Sequence, residues 1–271
     1  MSYEPGIYDL SNDEYHASPG VSRSALWTFK QLPALYEYQY LSGEYIREEK
    51  EAYVLGELVH TLVLEPQLFA EKFFVMPDCD RRTTIGKNLY TTAQMSAGSR
   101  VIIKQEVLDI ANAMRDALIR EPIIADILDG ASCEKSIYWK DPKTGILCKC
   151  RPDIMQGVVV GDLKTTEDAS YRSFQMSAIK YGYLMQAAMI EEGLRSIGVQ
   201  MERFVFICVE KKPPYLVGIY MLDSDALSMA RHQFHSVLES FAESVDKQDW
   251  RGYGVQLLKA PGWAFEEPCH G

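Results

Sequence analysis

The feature that most constrains the fold is a change of apolar spacing in the middle of the chain. Before residue 128 the apolar residues recur mainly at helical intervals. The stretches 134–140, 146–155 and 158–166 are instead short, rich in β-branched and aromatic residues, and separated by turns. The first turn reads DPKTG, with proline early and glycine last, which favours a tight reversal. The middle of the chain therefore predicts three antiparallel strands.

The segments around these strands predict helices and two further strands. The expected elements are two short helices within 22–41 that meet at Pro33, helices at 52–66, at 101–128 with an interruption at Pro122, at 170–193 and at 223–247, and strands at 203–211 and 215–222. Residues 8–19 and 67–100 are expected to be loops or irregular. This order indicates an α/β or α+β fold, in which helices flank a central mixed sheet. With no repeat or linker-like tract, we expect a single domain over residues 1–271.

Composition narrows the classes of function. A net charge of −10 argues against a general nucleic-acid binder, but it does not exclude an enzyme that concentrates basic side chains in one groove. No apolar stretch approaches the roughly 20 residues that span a bilayer, so no membrane partner is expected. The N-terminus lacks the basic and apolar regions of a secretory signal. We therefore expect a cytoplasmic protein whose six cysteines are reduced thiols.

A pair of carboxylates and a lysine stand on the last two of the three middle strands. If their hairpin closes at Gly157–Val158, Asp153 lies opposite Asp162, with Cβ atoms about 4.5–5.5 Å apart. Lys164 is two residues beyond Asp162 and points to the same face. Such carboxylates repel unless a cation lies between them, and Mg²⁺ is the simplest occupant. The alternative is a turn cap at Asp153 with a surface ion pair beyond it, but the apolar run VVVG favours a buried strand.

Two polar residues interrupt helices that are otherwise apolar. His60 ends the sequence LGELVH, four residues after Gly56, and Gln186 lies in YGYLMQAAMI with Tyr181 nearby. A lone histidine on an apolar helix is more often a core residue than a ligand. Beside two aspartates, His60 becomes a candidate metal ligand.

Together these residues resemble a known family. G-x-x-x-H on a helix, aspartate before a hairpin turn, D-x-K on the next strand and a following Tyr/Gln helix are similar to the RecB-like branch of the PD-(D/E)XK nucleases. Three stretches resemble more closely the nuclease domain of the RecE-type exonucleases (exodeoxyribonuclease VIII): YDLSNDEYHASPGVSRSAL (8–26), RRTTIGK (81–87) and SIYWKDPKTGILCKCRPD (136–153). This resemblance runs over nearly the whole chain.

The resemblance implies a fold and an activity. The fold would be a restriction-endonuclease-like core. The activity would be Mg²⁺-dependent, with Mn²⁺ as a substitute and one or two ions per active site. It would remove nucleotides from the 5′ end of duplex DNA and leave a 3′ single-stranded overhang. Partners would be double-stranded DNA ends, a single-strand annealing protein of the RecT type, and further copies of the chain in a ring, with a tetramer favoured.

The resemblance also assigns site residues. The metal ligands would be His60, Asp153, Asp162 and the backbone carbonyl of Leu163, and Lys164 would be the catalytic lysine. Gln186 matches the glutamine of the family's Q-x-x-x-Y motif. Four residues later the chain has Ile190 instead of tyrosine, which makes Tyr181 a candidate substitute. Glu134 is a candidate second-metal or water-positioning group, although a shift of one residue in strand register would turn it to the opposite face.

Candidate DNA contacts lie in two other segments. Ser22, Arg23 and Ser24 open a predicted helix, where a phosphate could bind; plain N-capping by a serine is the equal alternative. Arg81, Arg82 and Lys87 form the clearest basic cluster of an acidic chain, and we interpret it as a loop that faces DNA. A related nuclease with endonuclease or single-strand preference, or a non-catalytic DNA-end-binding scaffold, remains the alternative function. A cluster bound by Cys148 and Cys150 is not expected, because a second C-x-x-C is missing.

Overall fold

The computed structural model describes residues 3–46 and 51–261, and within them the order of helices and strands is mixed. The strands are β1 (Gly6–Tyr8), β2 (Phe73–Val75), β3 (Val101–Ile103), β4 (Ser132–Cys133), β5 (Ser136–Lys140), β6 (Leu147–Cys150), β7 (Ile154–Gln156), β8 (Val159–Thr166), β9 (Arg203–Glu210) and β10 (Val217–Met221). The helices are α1 (Asn12–Ala17), α2 (Arg23–Gln31), α3 (Pro33–Tyr36), α4 (Glu51–Leu64), α5 (Phe69–Lys72), α6 (Thr84–Ala97), α7 (Gln105–Ile119), α8 (Pro122–Leu128), α9 (Tyr171–Lys180), α10 (Tyr183–Ser196) and α11 (Ser224–Lys247). A π-helical turn at Glu37–Leu41 follows α3, and a 3₁₀ turn at Pro66–Leu68 precedes α5.

A five-stranded mixed sheet forms the centre, in the order β10-β9-β8-β7-β4. Strands β8 and β9 are parallel, and the other neighbours in this sheet are antiparallel. A second sheet has the order β1-β5-β6, and β2 pairs with β3 in a third. The observed architecture is the predicted α+β arrangement, a mixed sheet flanked by helices.

Strand β9 shows how the central sheet divides the apolar core. Phe204, Phe206 and Cys208 belong to one buried cluster. Val205 and Ile207 alternate with them and belong to the other cluster. Because successive side chains of a strand point to opposite faces, the sheet is covered on both sides. Helices α2, α10 and α11 contribute to the first cluster, and α4, α7 and α8 contribute to the second.

Two of the predicted middle strands have different bounds in the structure. The strand predicted at 134–140 begins at Ser136, because Glu134, with a φ of 53°, separates β5 from β4. The stretch 146–155 divides at residues 151–153, because β6 belongs to the second sheet and β7 to the central sheet. The chain thus changes sheets twice, and both changes fall at residues with charged side chains.

Several other boundaries differ from the sequence prediction. The segment 67–100 is not irregular, since it holds α5, β2 and α6, and 8–19 holds α1. The predicted helix at 101–128 begins with β3. The predicted helix at 170–193 is two helices, because Gly182 has a φ of +70°, and a Cβ there would lie 2.4 Å from the Trp27 ring. The helices predicted within 22–41, at 52–66 and at 223–247 are confirmed, as are β9 and β10.

Candidate metal and phosphate site

The hairpin between β7 and β8 brings the predicted carboxylates together. Its pairs Ile154↔Gly161 and Gln156↔Val159 follow the register predicted from the sequence. One pair further along, Asp153 lies just before β7, and its Oδ2 accepts a hydrogen bond of 2.7 Å from the backbone N–H of Leu163. The Asp153 carboxylate is therefore held against the middle of β8.

Three side chains from separate segments converge on this point. His60 of α4, Glu134 between β4 and β5, and Asp153 each offer a ligand atom, and these atoms lie within 4.8 Å of one another. We call them the metal-ligand group. His60 Nδ1 is 3.7 Å from Asp153 Oδ2. Helix α4 packs against β8 at this point: a Cβ on Gly56, one turn before His60, would lie in ordinary contact with Thr165 Oγ1 at 3.5 Å.

Asp162 and Lys164 lie beside this group on β8. Asp162 is fully buried. Its Oδ2 is 2.6 Å from Lys164 Nζ, and its Oδ1 accepts a hydrogen bond of 2.6 Å from Gln186 Nε2. Among the described residues, the Lys164 ammonium is the charge that compensates this buried Oδ2. Lys164 Nζ also lies 4.9 Å from the centre of the Tyr183 ring.

Burial and mutual repulsion shift the pKa values of these groups. Burial, followed by the charge of Asp162, raises the pKa of Asp153 to about 7. Burial and the charge of Asp153 raise the pKa of Glu134 to about 7. Burial alone would lower the pKa of Lys164, but Asp162 and Asp153 outweigh it and the pKa is raised. Burial, with the nearby Lys164 charge, lowers the pKa of His60, so its imidazole is neutral at pH 7.

The donor set fits a divalent cation. It combines a neutral imidazole with carboxylates that repel each other and would be stabilised in their charged forms by a cation between them. Asp162 lies outside the metal-ligand group, and its buried Oδ2 is 2.6 Å from Lys164 Nζ. The Leu163 backbone is joined to the group through the hydrogen bond from its N–H to Asp153, and His60 Nδ1 is 3.7 Å from the same carboxylate oxygen. The predicted ligands His60, Asp153, Asp162 and Leu163 are therefore neighbours, and Glu134 joins them.

Two neighbouring cavities lie at the site: a cleft beside the metal-ligand group and a smaller pocket. The smaller pocket has a volume of about 200 Å³ and is lined by Ser22, Arg23, Ser24, Arg151 and Gln186, among others. We call it the phosphate pocket, after the ligand that the sequence predicts for Ser22, Arg23 and Ser24. The cleft beside the metal-ligand group, about 450 Å³, includes His60 and Glu134 in its lining. Both cavities share three lining residues, Asn12, His16 and Arg23.

Arg23 and Gln186 join the two cavities. Arg23 Nη2 donates to Gln186 Oε1 at 3.4 Å, and Gln186 donates in turn to Asp162. Arg23 Nη1 donates to the backbone oxygen of Tyr181 at 3.1 Å. Ser22 is the N-cap of α2, and its side chain accepts a hydrogen bond from the N–H of Ala25. Ser22 therefore caps α2 and also lines the phosphate pocket.

The basic segment 81–87 has a different environment. Arg82 Nε lies 2.9 Å from Asp80 Oδ1, and the Arg81 guanidinium lies 4.2 Å from the centre of the Tyr90 ring. Lys87 is in the first turn of α6, which Thr83 caps. The predicted loop is therefore the start of a helix. The contacts described for Arg81 and Arg82 are local and do not join the segment to the metal-ligand group.

Four residues near the site were not among the residues predicted from the sequence: Asn12, His16, Arg151 and Tyr183. The aromatic ring beside Lys164 is that of Tyr183, whereas the Tyr181 side chain is 46% exposed at the end of α9. Asn12 and His16 come from a segment predicted to be a loop. Arg151 immediately precedes Pro152–Asp153, and a charged residue inside a strand-like apolar stretch was the available signal.

The cysteines next to this site are core residues. Cys148 and Cys150 are buried, and burial raises the pKa of both thiols. The five cysteines within the described residues are free, and Cys269 lies outside those residues. Both thiols therefore remain protonated at neutral pH.

Among the described residues, no helix combines the length and apolarity that crossing a membrane requires.

Comparisons with known proteins identify a family and a similar fold. Residues 22–257 match the family described as a PDDEXK-like domain of unknown function (DUF3799). The crystal structure of a "putative exonuclease" from Eubacterium rectale is similar with a TM-score of 0.63 and 14% identity, covering 94% of this chain and 96% of that one. At this identity the likeness concerns the fold.

The structure of SSO0001 matches with a TM-score of 0.29 and 16% identity, covering 68% of this chain and 85% of that one. Among curated proteins, no sequence matches the chain. The family match spans most of the sequence and includes every residue of the metal-ligand group. The chain belongs to the PDDEXK-like family DUF3799 and thus to the PD-(D/E)XK nuclease superfamily.

Proposed function

We propose that the protein is a Mg²⁺-dependent exonuclease that degrades double-stranded DNA from the 5′ end and leaves 3′ single-stranded overhangs. The observation that carries the proposal is the hydrogen-bonded chain from Asp162 through Gln186 to Arg23. It links a site suited to a divalent cation with a pocket suited to a phosphate. A DNA end whose terminal phosphate occupies the pocket would present a neighbouring phosphodiester to the metal-ligand group, which favours attack from the 5′ terminus.

The phosphate pocket has the chemistry of an anion site. Arg23 supplies a guanidinium. Helix α2 is nine residues long, and its first turn supplies backbone N–H groups and the positive end of the helix dipole. Arginine binds phosphate through several donors at once. Ser24 at the same helix end is exposed and free to contact the ligand from the solvent side. These features support a 5′-phosphate as the group that is bound.

The residues around the scissile bond have distinct tasks. A bound divalent ion would supply a water of lowered pKa and would offset charge on the phosphate. Lys164 keeps its proton at neutral pH, because its pKa is raised, so it donates to a phosphate oxygen and stabilises the charge that develops there. Gln186 holds Asp162 in place. Mn²⁺ could substitute for Mg²⁺, since carboxylate, carbonyl and water ligands suit both ions, and one or two ions could be bound.

The recombination context and the assembly follow from the RecE-type resemblance. The 3′ overhangs would be substrates for a single-strand annealing protein of the RecT type. A homo-oligomeric ring, with a tetramer favoured, would reconcile a net charge of −10 with DNA binding, because the channel can be basic while the outside is acidic. Sedimentation of the full chain tests this: a ring predicts a stable oligomer, and a monomer at working concentration contradicts it. The enzyme would act in the cytoplasm.

The test of the function uses linear duplex DNA labelled separately at its 5′ and 3′ ends. Wild type is expected to release 5′ nucleotides with Mg²⁺ but not with EDTA, and to leave closed circles intact. Lys164→Ala should lose the activity. Lys143→Ala is the matched control, because Lys143 forms an exposed ion pair with Glu239. Release from 3′ ends or cleavage of circles would favour the related nucleases, and no degradation by folded wild type would favour a DNA-end-binding scaffold.

A further inference from the structure

Arg151 is a buried arginine between β6 and β7 to which neither the proposed mechanism nor the family match assigns a task. Its side chain is 9% exposed. Its Nε donates to Glu134 Oε2 at 2.8 Å. Its Nη1 donates to Ser136 Oγ at 3.2 Å and to the backbone oxygen of Ser11 at 3.3 Å. A guanidinium is rarely buried without such partners, and here the partners come from two separate segments, residues 134–136 and Ser11.

At one end, Arg151 fixes a member of the metal-ligand group. The Glu134 backbone is held by its own N–H, which donates to the backbone oxygen of Asp153 at 3.1 Å. Its φ of 53° is a conformation that a glutamate rarely adopts, and such conformations persist where the surrounding structure imposes them. The long side chain needs a further restraint to face His60 and Asp153. The hydrogen bond and ion pair with Arg151 supply that restraint.

At the other end, Arg151 fixes the N-terminal helix. Ser11 caps α1 in a reciprocal arrangement with Glu14. The residues Asn12 and His16 of α1 line both the metal-side cleft and the phosphate pocket. By accepting a hydrogen bond from Arg151, the Ser11 carbonyl ties the start of this helix to the same guanidinium that orients Glu134.

We propose that Arg151 is a positioning residue, which holds the Glu134 carboxylate in the metal-ligand group and holds α1 as the wall shared by the two cavities. The effect of Arg151 on metal binding does not depend on whether the protein is a nuclease. Its consequence for turnover rests on the proposed function. Partners of this kind, one shell outside the ligands, commonly change metal affinity when they are mutated.

The first experiment titrates Mn²⁺ into the full-length, DNA-free protein and follows the free ion by electron paramagnetic resonance. Arg151→Gln is expected to weaken Mn²⁺ affinity by about 10- to 100-fold, and Arg151→Lys by less, because lysine keeps the charge but cannot reach three acceptors in one plane. Arg231→Gln is the matched control, since Arg231 also pairs with a glutamate, Glu191 on α10, outside the site. Equal affinity in Arg151→Gln and wild type would overturn the proposal.

A double-mutant comparison separates positioning from a general structural role. If Arg151 acts on the metal through Glu134, adding Arg151→Lys to Glu134→Gln should weaken Mn²⁺ binding no further, whereas fully additive losses would contradict the proposal. This pair of variants also carries the test if circular dichroism shows that Arg151→Gln does not fold.

Kinetics distinguish positioning from a direct DNA contact. A positioning residue predicts a fall in kcat that accompanies the loss of Mn²⁺ affinity. A raised KM together with unchanged Mn²⁺ affinity would make Arg151 a phosphate contact and would refute the positioning role. If Mn²⁺ binding depends on Arg151 but wild type degrades no DNA, the proposed function fails and the positioning role is upheld.

Discussion

The metal-ligand group and the basic segment 81–87 are both rich in charge, but they are assembled in opposite ways. The metal-ligand group draws His60, Glu134 and Asp153 from three distant segments, and its carboxyl groups have strongly raised pKa values. The basic segment pairs neighbours in sequence, and its Arg82 side chain is 91% exposed. Charges that the fold gathers and partly removes from water need a compensating partner, whereas exposed local charges do not. The first arrangement therefore indicates chemistry, and the second indicates at most a contact surface.

The largest expected effect is at Lys164. Lys164→Ala should lower kcat by at least about 10²- to 10³-fold, because it removes a charge placed to stabilise the transition state. Lys87→Ala, in the basic segment, is the matched control and should leave kcat unchanged. Both are measured by release of labelled 5′ nucleotides at saturating DNA. Similar losses in the two variants would erase the contrast between the regions.

The next effect concerns the backbone at Glu134. Glu134→Ala and Glu134→Gly both remove the carboxylate, so both should lose metal affinity and turnover alike. They should differ in stability, because glycine adopts the positive φ of 53° without strain. We expect Glu134→Gly to unfold with about 1 kcal/mol more free energy than Glu134→Ala in urea titrations. Equal stabilities would mean that the backbone is not constrained there.

The raised carboxyl pKa values predict a pH dependence of stability. The pKa of Asp153 rises from its ordinary 3.8 to about 7, so between these values the folded protein binds a proton that the unfolded chain has lost. This contribution to stability is present below pH 4 and is lost as the pH rises through 7. In EDTA, the Tm of wild type minus the Tm of Asp153→Asn should therefore decrease as the pH rises from about 4 to about 7.

A divalent cation should reverse that trend. It binds the deprotonated carboxylates, so its stabilising effect should grow with pH over the same window. Differential scanning calorimetry with and without Mg²⁺ measures both effects. A cation effect that is independent of pH would indicate that it binds elsewhere.

The smallest expected effect is at Arg82. Its partner Asp80 already offsets its charge, and both groups are exposed. Arg82→Ala should leave kcat unchanged. It should lower the slope of log K for DNA binding against log salt concentration by at most about one, the equivalent of one released counterion. Fluorescence anisotropy with labelled duplex at several salt concentrations measures this slope. A larger fall would show that the basic segment belongs to the DNA-binding surface.

The sequence predicted those parts of the site that depend on strand pairing. The register of the β7–β8 hairpin follows from one tight turn, so the approach of Asp153 to β8 could be foreseen. The places of Glu134 and Tyr183 could not, because they depend on a positive φ and on a break between two helices at Gly182. Spacing rules assume regular backbone, and such breaks are where irregular backbone re-aims side chains.

Long-range convergence was the other limit. Arg151 contacts Ser11, 140 residues away in the sequence, and no local pattern indicates that pairing. The general architecture was foreseeable because alternating and helical spacings separate the strands from most of the helices. The change of sheet at residues 151–153 was not, because β6 and β7 read as one continuous apolar strand.

His60, Glu134 and Asp153, with the adjacent Asp162, are proposed to hold a divalent cation beside Lys164. The most direct measurement is anomalous diffraction from crystals of the full chain grown with Mn²⁺, with Asp153→Asn crystals as the control. We expect an anomalous peak within coordination distance of His60 and Asp153 in wild type, and its loss in the variant. A peak away from these residues, or none at a Mn²⁺ concentration that supports DNA degradation, would contradict the account.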